Sequence, residues 1–370
     1  MIDERTARMG LAACQDGGDP ALMKLIEEQG AVEVWEHLRS GRRRTAMAQR
    51  AAEVKPEEIS RHTIAIGARF VIPGDEEWPV GLTDLSWSEP VGGRGGQPLG
   101  LWVKGPARIS ELSRGISIVG SRASTAYGDH VTADLASGVA ESGFPVVSGG
   151  AYGIDSAAHR GALAAHGLTV AVMASGLANY YPSGNSGLIT GVAEKGAVVS
   201  EYPPSCHPSK SRFLVRNRLI AALPRATVIV EGAVRSGAQN TVSWALSLGR
   251  QVLAVPGPVT SAMSVTPHRL IRRGEAILVS TAEEILSVLN PVDTTIPEYH
   301  RAQDTLFDNL AEDKKRIHEA LPMNRSVSVD ELAILTGESV ISLLVSLAQL
   351  KQLGFARESK PGMWSALKEK

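Results

Sequence analysis

The alternation of apolar and polar positions changes character along the chain and divides it into stretches. Up to about residue 65 the apolar positions follow a helical period: Leu22, Leu25 and Ile26 share one face, with Pro20 near the start of that helix and Gly30 just past its end. A small all-helical unit over residues 1–65 is expected. Between Trp78 and Gly105 the period vanishes and Pro and Gly take over. Gly92, Gly93, Gly95 and Gly96 predict a flexible loop within an extended lead-in that reaches residue 114. From Gly115 onward, short β-branched runs alternate with amphipathic helical runs, the sequence form of a parallel sheet with helices on both faces. Strands are expected at 116–119, 145–148, 169–173, 197–200, 227–231, 251–255 and 277–279, with helices near 129–142, 154–166, 216–223, 239–248 and 267–273. The fold class is therefore α/β, a Rossmann-like doubly wound parallel sheet in a core domain over residues 66–290.

Residues 291–303, with Thr294, Thr295 and Pro297, read as a polar linker. A last unit over 304–370 is expected to hold a helix at 306–321 and a second helix opened by Ser328, with Glu331 at capping-box spacing. A third helix at 339–353 and a two-stranded wing at 355–367 around Pro361 and Gly362 complete the layout of a winged helix.

Composition narrows the class without naming a partner. With 43% hydrophobic and 21% charged residues over 370 positions, the chain has the make-up of a globular protein of two or three domains. Aromatic residues supply only 5%, so Ala, Val, Leu and Ile must fill the core. No run of about 18 apolar residues predicts a transmembrane helix, and Met1, Ile2, Asp3, Glu4 and Arg5 are not followed by a signal-peptide core. Cys14 and Cys206 lack the spacing of a disulfide framework, a zinc site or a redox motif, and no metal site is expected. A reduced, cytoplasmic protein without membrane contact is the resulting expectation.

Open parallel sheets bind ligands beyond the carboxyl ends of their strands. There the first strand runs into Gly120, Ser121, Arg122 and on to Tyr127 and Gly128, and the second into Ser148, Gly149, Gly150, Ala151, Tyr152, Gly153, Ile154 and Asp155. Both loops bring small residues and free backbone amides to a helix N-terminus, an arrangement that receives phosphate. Arg122 adds a cation suited to bidentate contact. The glycines serve tight turns equally well. No cofactor is expected: the first loop is not G-x-G-x-x-G, Ser148 stands where a ribose-binding acid would, and no Walker sequence occurs. Asp155 and His159 share a helix face, either as an acid/base couple or as a satisfied structural pair, and no nucleophile stands beside them.

The net charge of −1 conceals an uneven distribution. Residues 202–274 hold ten cations, Lys210, Arg212, Arg216, Arg218, Arg225, Arg235, Arg250, Arg269, Arg272 and Arg273, and one acid, Glu231. That block carries +9 and the remainder −10. So one-sided a block points to a polyanion, most simply a nucleic-acid backbone, with some arginines capping helices or pairing with acids elsewhere. From Lys210 to Arg218 cations interleave with Phe213, offering charge to a backbone and a flat face to an unpaired base. Phe213 suits a core position as well. The arginines between Arg39 and Arg50 read as a solvated face.

Several short stretches, in their order and combination, resemble the DNA-processing protein A (DprA, or Smf) family over residues 115–289. They are Gly-Ser-Arg with the later Tyr-Gly (120–128), Ser-Gly-Gly-Ala-x-Gly-Ile-Asp-x-x-Ala-His (148–159) and Tyr181-Pro182 with Asn185. Further matches are Ser200-Glu201-x-Pro203-Pro204, Arg216-Asn217-Arg218-x-Ile220-Ala221, Val230-Glu231 before Ser236-Gly237, and Ala254-Val255-Pro256-Gly257. The resemblance implies a protein without catalytic activity that binds and shields single-stranded DNA, helps to load the RecA recombinase in natural transformation and recombination, and forms homodimers. It also implies an N-terminal SAM-like domain and a C-terminal winged helix. By position, Arg122, Lys210 and Phe213 match the family's DNA-contacting residues. The full set expected to meet DNA comprises Gly120, Ser121 and Arg122, then Ser148, Gly149, Gly150, Gly153, Ile154 and Asp155. Lys210, Arg212, Phe213, Arg216, Asn217 and Arg218 follow, with Ser236, Gly237, Asn240 and Thr241. The chain departs from the family pattern at Leu214, where Pro is usual, at Ser205 and Thr266, where Gly is usual, and across 236–242.

An alternative reading is a nucleotide-cleaving enzyme similar to the lysine-decarboxylase-like glycosidases. Those carry a catalytic Glu shortly after Pro-Gly-Gly-x-Gly-Thr, whereas residues 236–244 hold no acid. The helix at 339–353 offers Val340, Ile341, Leu344 and Val345 and no cation before Lys351, so it is expected to make packing or protein contacts rather than to read a duplex groove.

Overall fold

The structure is a computed structural model and describes residues 2–40, 45–234, 236–290, 307 and 310–367. It divides into two compact units, with the break between residues 297 and 298. The linker expected at 291–303, the cations at 42–44 and Arg235 lie outside the described residues.

The first unit opens with helices α1 (Glu4–Ala13), α2 (Pro20–Gln29), α3 (Ala31–Arg39), α4 (Ala46–Glu53) and α5 (Pro56–Ala65). Side chains set their ends: Asp3 accepts from Thr6 N at 2.8 Å, and Asp19 caps α2 ahead of Pro20. Two strands follow, β1 (Ala68–Val71) and β2 (Leu101–Lys104). The alternating part runs β3 (Ile116–Val119), α6 (Ala126–Glu141), β4 (Val146–Ser148), α7 (Ile154–Ala164), β5 (Thr169–Met173), α8 (Ser186–Lys195) and β6 (Ala197–Ser200). It continues with α9 (Lys210–Ala222), β7 (Ala226–Ile229), α10 (Gly237–Ser247), β8 (Gln251–Ala254), α11 (Val265–Arg272), β9 (Ile277–Leu278) and α12 (Ala282–Leu289).

These strands form one nine-stranded, mixed and mostly parallel sheet in the order β1-β2-β6-β5-β4-β3-β7-β8-β9. From β3 to β9 neighbours are parallel, while β2 joins β6 antiparallel and β1 joins β2 antiparallel. The chain lays β4, β5 and β6 outward on one side of β3, then crosses back to place β7 on the other. The winding reverses between β3 and β7, which opens a crevice at their carboxyl ends.

Strand alternation sorts the core into two faces. On one, Ile116 and Ile118 of β3 pack with Leu135 and Val139 of α6 and Ile285 of α12. Val170 and Val172 of β5 face the other way, with Leu219 and Ile220 of α9 and Trp244 of α10. The N-terminal helices share a core with the sheet: Leu11, Leu22 and Trp35 cluster with Phe70, Trp102, Met173 and Ile189. Trp102, fully buried, donates from Nε1 to Thr63 Oγ1 at 2.9 Å.

The structure differs from the sequence expectation in several places, helix α12 among them. Residues 66–114 are not a loose lead-in, because β1 and β2 extend the sheet there. Nor is the glycine run free, since Val91 and Arg94 exchange backbone hydrogen bonds, Gly95 N donates to Gly18 O at 3.2 Å, and Gly96 O accepts from Arg218 Nε at 3.1 Å. Gly18 and Arg218 are distant in sequence, so no local pattern announces those two contacts. Helix α8 was not expected because Gly187 and Gly191 interrupt its apolar pattern. Helix α9 starts at Lys210 rather than at residue 216: Ser209 Oγ accepts from Arg212 N at 3.3 Å, and the first turn holds cations and no acid, against the usual helix-dipole preference.

The second unit contains α13 (Glu312–Ala320), β10 (Val327–Ser328), α14 (Val329–Thr336), α15 (Val340–Gln352), β11 (Ala356–Lys360) and β12 (Met363–Ala366). Its first described helix begins at Glu312, residues 310 and 311 being non-helical, and the expected start at 306 lies outside the described residues. Ser328 Oγ accepts from Glu331 N at 3.2 Å, and β12 pairs with both β10 and β11. Leu332, Leu343, Leu347, Leu350 and Trp364 form its core, while Ile341, Leu344 and Val345 of α15 remain exposed. Among the described residues no single helix is long and apolar enough to cross a membrane.

Candidate nucleic-acid interface

The crevice at the switch between β3 and β7 is a cleft of about 560 Å³. Gly120, Ser121, Arg122 and Ala123 from the loop after β3 line one wall, and Ala233, Ser236, Gly237, Ala238 and Thr241 from the loop after β7 and α10 line another. Lys210, Phe213, Leu214, Arg216, Asn217 and Ile220 of α9 close it, with Ala151 and Asp155 beneath.

Close backbone approach explains the glycines. A Cβ on Gly120 would sit 2.5 Å from Ile154 Cγ1 and 2.9 Å from Glu231 O, so three segments converge where no side chain fits. Gly153 has φ 74°, and a Cβ there would run into Ser121 O. Ile154 N donates to Ser121 O at 3.1 Å, fastening the loop after β4 to the loop after β3.

Glu231, the one acid of the cationic block, spans the switch point. Thr125 donates to it twice, from Oγ1 to Oε1 at 2.6 Å and from N to Oε2 at 2.9 Å, while Thr125 Oγ1 caps α6 by accepting from Gly128 N at 3.1 Å. The buried carboxylate thus sits at the positive end of α6.

Arg216 is 3% exposed and ties the floor together, its Nη1 donating to Gly149 O at 2.7 Å and to Val172 O. Burial pushes its guanidinium down to about 10, which leaves it cationic at neutral pH, and Asp155 counters that shift. Burial raises the Asp155 carboxyl, against the pull of Arg216 and a hydrogen bond from Ala151 N at 3.3 Å. The Asp155–His159 pair is not an acid/base couple: His159 Nδ1 is bonded to Thr169 Oγ1 at 2.8 Å, and burial, then the Arg216 charge, lower the imidazole to about 3.

The cations of the block have separate fates. Arg218 and Glu201 make a bidentate pair at 2.8 and 2.6 Å, exposed 0% and 3%. Arg212 pairs with Asp16, Arg250 with Asp84 and Arg273 with Glu275. Four of the ten thus meet acids from outside the block, so the sheet does not present one continuous cationic face. Lys210 and Arg216 reach the cleft, where Arg122 joins them from outside the block and Asp155 is the opposing charge.

Of the other expected residues, Ser148 Oγ donates to Ile118 O at 2.7 Å within the core, and Gly149, Gly150, Gly153 and the fully buried Ile154 form the layer behind the cleft. Asn240 Oδ1 accepts from Asn217 Nδ2 at 3.2 Å, so it orients a lining residue without lining the cleft itself. Helix α10 lacks a side-chain cap: Ser236 Oγ is buried without a partner, and the helix's first turn lines the cleft. Such a helix end favours an anion.

Phe213 is not a bare platform. The Arg122 guanidinium lies 4.7 Å from its ring centroid and that of Arg216 5.9 Å, and the Tyr181 ring is 5.9 Å away. Sequence reasoning missed the apolar lining, because Ala123, Ala151, Ala233 and Ala238 carry no chemistry to flag them. It gave Tyr181 no site role either, though an aromatic before Pro182 in a strand-end loop was a visible signal. Among the described residues, no group of three or more His, Cys, Asp or Glu side chains is placed to hold a metal ion.

Comparison with known proteins agrees with this architecture. The family model described as DNA recombination-mediator protein A matches residues 69–290. The chain is 42% identical over 356 residues to a DprA from Mycobacterium tuberculosis, covering 94% of this chain and 90% of that one. With the DNA processing protein DprA of Bacillus subtilis it shares 37% identity over 192 residues, 52% of this chain and 64% of the relative. The crystal structure of DNA processing protein A from Streptococcus pneumoniae is similar with a TM-score of 0.63 and 28% identity, over 75% of this chain and 95% of that one. A structure of DNA processing protein A from Helicobacter pylori, described for its unique single-stranded DNA binding mode, is similar with a TM-score of 0.52 and 25% identity, over 60% of this chain and 95% of that one. Sequence over nearly the full length and fold over the sheet concur, and the chain belongs to the DNA-processing protein A family.

Proposed function

We propose that the cleft between β3 and β7 binds single-stranded DNA without turning it over. The observation that carries this reading is the meeting of Arg122, Lys210 and Arg216 with the uncapped first turn of α10 in one cleft. Cations and free amides suit phosphate, while the planar Arg122 guanidinium and the neighbouring aromatic rings offer faces to unpaired bases. The H. pylori relative's described single-stranded DNA binding supports the same reading. Of the expected contacts, Arg212 and Arg218 act in this proposal as supports, because each is held in an ion pair.

The partners of Asp155 and Glu231 argue against a cleaving enzyme. Asp155 is buried beside Arg216, and Glu231 is occupied by Thr125. The proposal extends to shielding of incoming DNA, loading of RecA in natural transformation, a homodimeric state and a cytoplasmic site of action, all from family membership. Residues 1–65 are proposed as a SAM-like helical domain and 304–370 as a winged helix. The uncharged exposed stretch Ile341, Leu344 and Val345 favours a protein contact for the latter.

A salt titration of the full chain with single-stranded and duplex DNA tests the reading. Single strands should bind more tightly, with a log–log salt slope of about −0.7 per phosphate contacted. Arg122→Glu and Lys210→Glu should weaken binding to all sequences. Salt-insensitive binding, or unchanged affinity in both variants, would reject it.

A further inference from the structure

A second, smaller cavity of about 140 Å³ is lined by Tyr180, Tyr181, Ser205, Cys206, His207 and Pro208. Phe213 lines the cleft and Tyr181 lines this cavity, and their ring centroids are 5.9 Å apart, so the two aromatic rings stand between the two spaces. Tyr181 is 47% exposed, whereas the Phe213 ring already has two guanidinium groups over it. The larger free aromatic face therefore belongs to Tyr181.

The wall formed by Pro204, Ser205 and Cys206 is held by hydrogen bonds. Cys206 O accepts from Gly176 N at 2.8 Å, and Pro204 O accepts from Ala178 N at 2.9 Å. Ser205 Oγ is bonded to His62 Nδ1 of α5 at 3.1 Å. A flat aromatic wall with exposed Ser205 and His207 beside it suits a heterocycle with a polar rim.

We propose that this cavity is a second nucleobase site, entered from the cleft across Phe213, with Tyr181 as its stacking residue; this rests on the cleft binding single-stranded DNA. The rings of Tyr181 and Phe213 are tilted 56° to each other, so bases following the two faces cannot remain parallel. Successive bases are splayed, one toward each space, which a duplex cannot do without losing its pairing.

The test uses the full chain and labelled oligothymidylates carrying one abasic residue at successive positions. Wild-type protein should lose affinity at the positions held by aromatic faces. Tyr181→Ala should weaken the intact oligomer on the order of tenfold and erase the abasic penalty at one position while sparing the others. Tyr181→Phe should retain both. His207→Ala, at another lining position, should reduce the penalty at that same position and serves as the deciding variant if thermal melting shows Tyr181→Ala unfolded. Wild-type affinity with the complete set of penalties in Tyr181→Ala, or in His207→Ala when that variant decides, overturns the second site. If Lys210→Glu still impairs binding, the cleft reading survives that result. Absence of single-strand binding by the wild-type protein rejects both.

Discussion

The two sides of α9 carry similar residues and have opposite surroundings. Positions 210, 213, 214, 217 and 220, spaced as one helical stripe, line the cleft. Arg212 and Arg218 lie off that stripe and meet Asp16 and Glu201. Charge counted along the sequence cannot separate the two groups. The acid that answers Arg212 lies 196 residues away, and that distance hides it from any local pattern. A cation's role is set by whether the fold delivers a carboxylate to it.

The largest effect is expected on the paired side. Glu201→Gln leaves Arg218 buried without a counter-charge and should cost about 3–5 kcal/mol in urea unfolding. The folded protein's affinity for single strands should stay as it was; lost affinity at unchanged stability would erase the distinction between the two sides.

The layer below the cleft comes next. His159 titrates near 6.5 when unfolded and about 3 when folded, so between those values the unfolded chain holds the extra proton. Its contribution is present above pH 6.5 and is lost as pH falls toward 3, with a slope approaching about 1.4 kcal/mol per pH unit. His159→Asn should flatten that part of the stability curve, and an unchanged curve would remove His159 from the account.

Smaller still is Thr125→Ala, which deletes the α6 cap and one donor to Glu231. About 1 kcal/mol should be lost, read from the urea midpoint. A loss as large as that of Glu201→Gln would shift the structural weight from α9 to the switch point. On the cleft side, Lys210→Ala should move stability by no more than about 0.5 kcal/mol. The salt slope for single strands should shrink in magnitude by about 0.7. Destabilisation beyond that would place Lys210 with the paired cations.

Legibility followed the locality of the forces. Strands β3, β5 and β6 lie where the sequence puts them, because each is a short apolar run, rich in β-branched residues and buried on both faces. The glycine loops were also readable, since close backbone approach leaves glycine little alternative. β1 and β2 were not, because they lie in or beside a Pro- and Gly-rich stretch and pair antiparallel at the sheet's edge rather than in the regular strand–helix alternation. The start of α9 was obscured for a different reason: Lys210 and Arg212 oppose the helix dipole in its first turn, a local conflict that an anion in the cleft would relieve. Tyr181 carried a local signal before Pro182, but its pairing with a ring 32 positions later in the chain is not visible in the sequence.

Glu231 has a consequence for timing. Its two hydrogen bonds to Thr125 join the loop after β7 to the loop after β3 using groups of the chain itself. Two loops that contribute to the walls of the cleft are therefore tied to each other by the chain itself, and under the proposed reading an arriving strand would not have to bring them together. Less ordering would then remain for the moment of capture, and the rate of encounter would depend on how charge draws the strand in.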